Sequence, residues 1–150
     1  MAGSTEGKIL LVEDNIDDVE LTLIGFQRSH ISNEVVVVRD GAEALEYLFG
    51  TGKFEGHPAD PLPLLMILDL NLPRIPGLEV LRRVRENPRT RLIPTVVMTT
   101  SVEERDVIES YHLGANAYVQ KPITFEEFHT AAGRLGLFWL LMNVPPPQRD

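Results

Sequence analysis

Short apolar runs return along this chain at intervals long enough to hold a helix, and that rhythm constrains the fold more than any other feature. The runs are Ile9-Leu10-Leu11-Val12, Val35-Val36-Val37-Val38, Leu64-Leu65-Met66-Ile67-Leu68 and Thr95-Val96-Val97-Met98, with a weaker fifth at Ala117-Tyr118-Val119. They are continuous rather than alternating, as expected of strands covered on both faces of a parallel sheet. The segments between them carry helical spacing. Val19, Leu23 and Phe26 share a face after Asp17-Asp18, which cap and charge a helix start; Ala42, Leu45 and Leu48 with Phe49 form a second face, and Val80, Leu81 and Val84 a third. Val107, Ile108 and Tyr111 form a fourth, stopped at Gly114, and Thr124 with Glu127 begins a fifth. Strands and helices in strict alternation predict a doubly wound α/β sandwich with right-handed crossovers.

Composition narrows the function classes. The 150 residues suit one domain, and 43% hydrophobic residues are enough for a core. There is no cysteine, which excludes disulfides, thiolate metal sites and cysteine nucleophiles and suits a reducing, cytoplasmic setting. Fourteen basic against 22 acidic side chains, a net charge of −8, argue against nucleic-acid or anionic-membrane partners. No apolar run nears the roughly 18 residues of a membrane span, and Met1 to Lys8 lack the apolar stretch of a secretory signal.

Ligands of an open α/β sheet bind at the carboxyl ends of its strands. There this chain places Glu13-Asp14 after the first strand, Asp69 after the third, Thr99-Thr100-Ser101 at the end of the fourth and Lys121-Pro122 after the fifth. Each alone has a plain explanation: an Asp closing a strand is most often a cap, Lys-Pro a turn, Thr99 a strand-edge hydroxyl, Glu13 a solvated rim charge, Tyr118 a half-buried strand aromatic. Together they converge. Carboxylates this close raise one another's pKa unless a cation sits among them, and Mg²⁺ or Mn²⁺ is the natural partner for hard oxygen ligands.

Val12-Glu13-Asp14-Asn15, Leu68-Asp69-Leu70-Asn71-Leu72-Pro73 with Gly77, Val97-Met98-Thr99 and Tyr118-Val119-Gln120-Lys121-Pro122 resemble the receiver domain of two-component response regulators. The spacings agree too, with 30 residues from Asp69 to Thr99 and 22 from Thr99 to Lys121. The resemblance runs from about Lys8 to Leu135. It implies a flavodoxin-like (βα)5 three-layer sandwich with a parallel sheet in the order 2-1-3-4-5. It also implies that Asp69 accepts a phosphoryl group from a histidine kinase, that Asp14, Asp69 and the backbone carbonyl of Asn71 hold Mg²⁺ with Glu13 bound directly or through water, and that Lys121 offsets phosphoryl charge. Thr99 and Tyr118 would be the switch residues, moving toward the phosphosite and biasing a surface around the fourth helix and fifth strand. The chain would then be a signalling phosphoacceptor rather than an enzyme, with at most self-phosphotransfer and slow autodephosphorylation. Glu13 stands where Asp is commoner, Thr100 where a smaller residue is frequent, and Leu72 where Met is frequent.

Two additions exceed a minimal receiver. Gly50 to Pro63 is a Gly- and Pro-rich insertion containing His57; it reads as a tolerated surface loop or as a partner-specific element. Leu137 to Met142 is six consecutive apolar residues past the usual end of the last helix. One face must find cover, either on its own domain or in a homodimer anchored by Phe138, Trp139 and Met142. Gly133 and Gly136 in the same helix permit a close helix approach. The insertion, the Phe-Trp end and the proline-rich finish resemble the small response regulators paired with bacterial phytochrome histidine kinases. The expected organisation is a single receiver domain over 1–150, with a core at 7–143, flexible tails at 1–6 and 144–150, and no output domain. Two other readings compete. A flavin-binding electron carrier would want a hydroxyl- and amide-rich phosphate cradle after the first strand, where this chain offers Glu13-Asp14-Asn15-Ile16-Asp17-Asp18. A phosphorylation-independent interaction module would lack Asp69, Asp14 or Lys121.

Overall fold

The computed structural model describes residues 7–147. Five strands are present: β1 (Ile9–Val12), β2 (Val35–Val38), β3 (Leu65–Leu68), β4 (Thr95–Thr99) and β5 (Ala117–Gln120). They alternate with α1 (Ile16–Arg28), α2 (Gly41–Phe49), α3 (Gly77–Glu86), α4 (Glu104–His112) and α5 (Phe125–Leu137). All neighbouring strands pair parallel, in the order β2-β1-β3-β4-β5. The flavodoxin-like arrangement expected from the sequence is therefore the one found.

The continuous apolar runs divide between two cores with period two, as a pleated strand requires. Leu10, Val12, Met66, Leu68 and Val97 point to one face, where they meet Ala44, Leu45 and Leu48 of α2 and Val80, Leu81 and Val84 of α3. Ile9, Leu11, Leu65, Ile67, Val96 and Met98 point to the other, against Val19 and Phe26 of α1 and Phe128 and Leu135 of α5. The central strands β1, β3 and β4 are wholly buried, while the edge strands β2 and β5 are mostly half-exposed.

Two local expectations are corrected and a third is made specific. The cap of α1 is Asn15, whose side chain accepts from the backbone N–H groups of Asp17 and Asp18, so the two aspartates lie inside the first turn. In α4 the apolar face is not the packed one: Ser110 is buried, whereas Ile108 and Tyr111 are each 51% exposed. Beyond β4 the sheet has only the short edge strand β5 to offer, so α4 has little apolar surface to lie on. Finally, the close approach allowed by the α5 glycines is made within the chain, to α1. A Cβ on Gly133 would stand 2.4 Å from Ser29 Oγ and 2.9 Å from the Gly25 carbonyl oxygen, and one on Gly25 would stand 2.3 Å from the His129 carbonyl oxygen.

The inserted segment leaves α2 through Gly50, which adopts φ of +70°, and forms one 3-10 turn at Gly52–Phe54. Phe54 meets Tyr47 of α2 edge-on, with ring centroids 5.4 Å apart, and His57 stays exposed. At the other end of the chain, Pro145, Pro146 and Pro147 line a cavity of about 470 Å³ with Leu62, Pro63 and Leu92. Of the expected flexible tails, residues 1–6 and 148–150 lie outside the described residues. No described helix is long and apolar enough to cross a membrane.

Candidate functional site

Register brings the site together. Val12 is level with Val38 on one side and with Leu68 on the other, so the residues that follow β1 and β3 emerge side by side. The Asp69 N–H donates to the Val12 carbonyl (3.1 Å) and the Glu13 N–H to the Val38 carbonyl (3.0 Å), extending the ladders by one residue each. Asp69 is further seated by Gly77 at the start of α3, where a Cβ would lie 2.3 Å from the Asp69 carbonyl oxygen. No side chain fits there.

Glu13, Asp14 and Asp69 each present a carboxylate oxygen, and these oxygens lie within 4.8 Å of one another. Glu13 and Asp69 are buried, while Asp14 sits at the more open edge. The pocket around them is completed by Asn15, Ile16, Asp17, Asp18, Asn71, Thr100 and Lys121. Asp69 Oδ1 accepts from the Asn71 N–H at 3.1 Å, and Glu13 Oε2 from the Asn15 N–H, also at 3.1 Å. The Arg39 guanidinium donates to the Asp14 carbonyl at 2.6 Å, fixing the loop from behind.

Lys121 supplies the positive charge. Its backbone N–H continues β5 by donating to the Thr99 carbonyl at 2.8 Å. Its ammonium lies 2.7 Å from Glu13 Oε1, 2.7 Å from Asp18 Oδ2 and 2.7 Å from Asp69 Oδ2. Three oxygens for three N–H groups is a full complement. Burial alone would lower the Lys121 pKa, but hydrogen bonds to Asp18, Asp69 and Glu13 outweigh it and hold the ammonium well above its ordinary value. Burial pushes the Glu13 carboxyl up from 4.5 to about 7; the Lys121 hydrogen bond opposes this and the Asp69 charge adds to it. An all-oxygen trio with one such strained acid is chemically suited to a hard divalent cation, which would take the place of the proton.

The predicted switch pair lies beside this pocket. Thr99 closes β4 with no exposed surface, and its Oγ1 stands 3.4 Å from the Ser101 N–H, at the outer limit of a hydrogen bond. Tyr118 donates to the Ser101 carbonyl at 3.0 Å, and the Ser101 hydroxyl donates to Asp106 Oδ2 at 2.6 Å. Ser101 thus ties the loop before α4 to both β5 and α4. The predicted dimer residues stand apart from this pocket, past the end of α5. A wider, π-type turn at Phe138–Met142 leaves Phe138 47% and Met142 73% exposed, with Leu141 exposed between them. Trp139 packs with Leu140 against the α1/α5 core and meets the Phe138 ring edge-on.

Two contributors escaped the reading of the sequence. Asp18 belongs to the Lys121 cluster, although its position suggested only a charge at a helix start. The available signal was Asn15: as the cap, it makes Asp18 the third helical residue, turned toward the strand ends. Arg39 has no such signal, because its partner is a backbone carbonyl 25 residues away.

The response regulator receiver domain family matches residues 9–133 of this chain. The response regulator Rcp1 of Synechocystis sp. is 40% identical over 132 residues, which is 88% of either protein. The Mn²⁺-bound form of Rcp1 superposes with a TM-score of 0.86 at 38% identity, over 94% of this chain and 99% of that one. The phosphorylated cyanobacterial phytochrome response regulator RcpA gives 0.87 with the same identity and coverage. The bacteriophytochrome response regulator RtBRR is 51% identical, with a TM-score of 0.73 over 95% of this chain and 85% of that one. The chain belongs to the receiver-domain family of two-component response regulators, and it is similar to members linked to phytochromes.

Proposed function

We propose that this chain is a phosphoacceptor that takes a phosphoryl group from a sensor histidine kinase onto Asp69 and thereby switches a protein-binding surface. The observation that carries the reading is the Lys121 ammonium 2.7 Å from Asp69 Oδ2, beside the Glu13, Asp14 and Asp69 trio. Glu13, Asp14, Asp69 and the Asn71 backbone carbonyl would hold Mg²⁺ or Mn²⁺. The ion supplies charge neutralisation for the transferring phosphoryl group.

In the transfer, a carboxylate oxygen of Asp69 attacks phosphorus in line. The P–N bond of the kinase's phosphohistidine breaks, its electrons return to the imidazole ring, and an acyl phosphate forms. Lys121 positions Asp69 beforehand and meets the phosphoryl oxygens afterwards. Thr99 then hydrogen-bonds a phosphoryl oxygen, and Tyr118 follows, releasing Ser101 and altering the α4 surface. The likeness to RcpA, Rcp1 and RtBRR supports a bacterial phytochrome as the kinase. Phe138, Leu141 and Met142, exposed past α5, support a homodimer joined there with Trp139 as its inner wall. We take residues 7–143 as a single receiver core working in the cytoplasm, with no catalytic activity beyond self-phosphotransfer and slow autodephosphorylation. Incubation with acetyl phosphate and Mg²⁺ should add one phosphoryl group per chain by intact mass. Asp69→Asn should add none, and labelling that persists in that variant would refute the assignment.

A further inference from the structure

We propose that Asp18 is a positioning residue that restrains Lys121, competing with the phosphoryl group for its ammonium and so setting how readily the phosphosite is filled. This rests on the reading of Asp69 as phosphoacceptor and adds a restraint specific to the first turn of α1. Asp18 is the third residue of α1, counted from the Asn15 cap, and its side chain is 20% exposed against 5% for that of Lys121. Its Oδ2 accepts from Lys121 Nζ at 2.7 Å, joining α1 to the end of β5 across 103 residues of sequence. The other two acceptors, Glu13 and Asp69, belong to the trio whose oxygens converge for a cation; Asp18 does not.

The consequence follows from counting donors. An ammonium has three N–H groups, and here all three face carboxylates. A phosphoryl oxygen can gain Lys121 only if one of these contacts is given up. Glu13 and Asp69 have a cation to turn to, whereas the Asp18 carboxylate meets only Lys121 among the described residues of the pocket. Asp18 is thus the contact that holds the ammonium on the α1 side of the site. A charge-assisted hydrogen bond is strong enough for its loss to change the affinity of a competitor about tenfold.

Beryllofluoride, a non-covalent stand-in for the phosphoryl group, tests this without turnover. Its dissociation constant is measured by ¹⁹F NMR in saturating Mg²⁺ for wild type, Asp18→Asn, Asp18→Ala and Asp17→Asn. The Asp17 variant makes the same charge change on the same turn without the Lys121 contact. Beryllofluoride should bind both Asp18 variants about tenfold more tightly and the Asp17 variant within about threefold of wild type. Mg²⁺ affinity by calorimetry should stay within about twofold of wild type in the Asp18 variants, because Asp18 lies outside the metal trio. Damage to the structure would weaken both ligands, so tighter binding of one alone is diagnostic. Unchanged or weaker beryllofluoride binding in the Asp18 variants overturns the restraint, and so does an equal gain in Asp17→Asn. A wild type that binds no beryllofluoride overturns the phosphoacceptor reading itself, which is a separate outcome.

Discussion

Lys121 and Glu13 show how single residues set the pocket's behaviour. Three acidic side chains, Glu13, Asp18 and Asp69, contact one ammonium, and Asp14 and Asp17 line the same pocket, so the charge is only partly offset. Replacing Lys121 by Met removes the sole cation in contact with Glu13, Asp18 and Asp69 among the described residues and leaves buried carboxylates facing one another. Urea unfolding should show a loss of about 3 kcal/mol or more in metal-free buffer, reduced when Mg²⁺ is added. Glu13 gives a pH dependence whose sign is fixed. Its folded pKa, about 7, is raised from 4.5, so its contribution to stability is complete below pH 4.5 and is lost as pH rises through about 7. A cation takes the proton's place, so Mg²⁺ should bind about tenfold more tightly at pH 8 than at pH 6 by calorimetry. Equal affinity at both would show that Glu13 plays no part in the metal site. The strand-end residues Glu13, Asp14, Asp69, Thr99 and Lys121 were legible because the residues that end or directly follow a parallel strand must emerge at the carboxyl edge of the sheet. Asp18 was not, since its role depends on where a long lysine side chain reaches from another strand.

Among the elements, α1 and α5 carry the sharpest test of packing. Gly25 lies mid-helix, where Ala would normally gain about 1 kcal/mol in helix propensity. Here the added Cβ meets the His129 carbonyl oxygen at 2.3 Å, and backbone cannot swing aside. Gly25→Ala should therefore destabilise the protein by about 1–3 kcal/mol in urea unfolding, the opposite sign from propensity. Asn15→Ala should cost about 1 kcal/mol, since Asn15 caps two N–H groups of α1. The order and type of all five helices were readable from apolar spacing. The packed face of α4 was not, because periodicity reports which side of a helix is apolar, and only the width of the sheet decides whether that side finds cover. The partner of the α5 glycines was equally hidden: small residues announce a close approach without saying to what.

For the whole molecule, one sheet holds two cores and aligns its carboxyl ends, so the fold was legible once the strands were. Alternate residues of each buried run serve opposite faces, which is why the runs are apolar throughout. What lies beyond the shared fold was only partly legible. Of the apolar residues at 137–142, Trp139 and Leu140 turn inward, while Phe138, Leu141 and Met142 stay exposed. The inward ones stabilise the protomer, and the outward ones are free to join two. Phe138→Glu with Leu141→Glu should therefore give a monomer by sedimentation velocity with little change in unfolding midpoint, whereas Trp139→Ala should lower the midpoint as well. A monomeric wild type at tens of micromolar would remove the dimer from the proposal while leaving the phosphosite intact.

That phosphosite is the central claim, and chemical trapping tests it most directly. The phosphorylated protein is treated with borohydride, which reduces an aspartyl phosphate to homoserine, and is then mapped by peptide mass spectrometry. Homoserine at position 69 alone, absent without Mg²⁺ and absent in Asp69→Asn, is the predicted result. Homoserine at Asp14 or Asp18, or a phosphoryl group that survives reduction on a hydroxyl side chain, would contradict it.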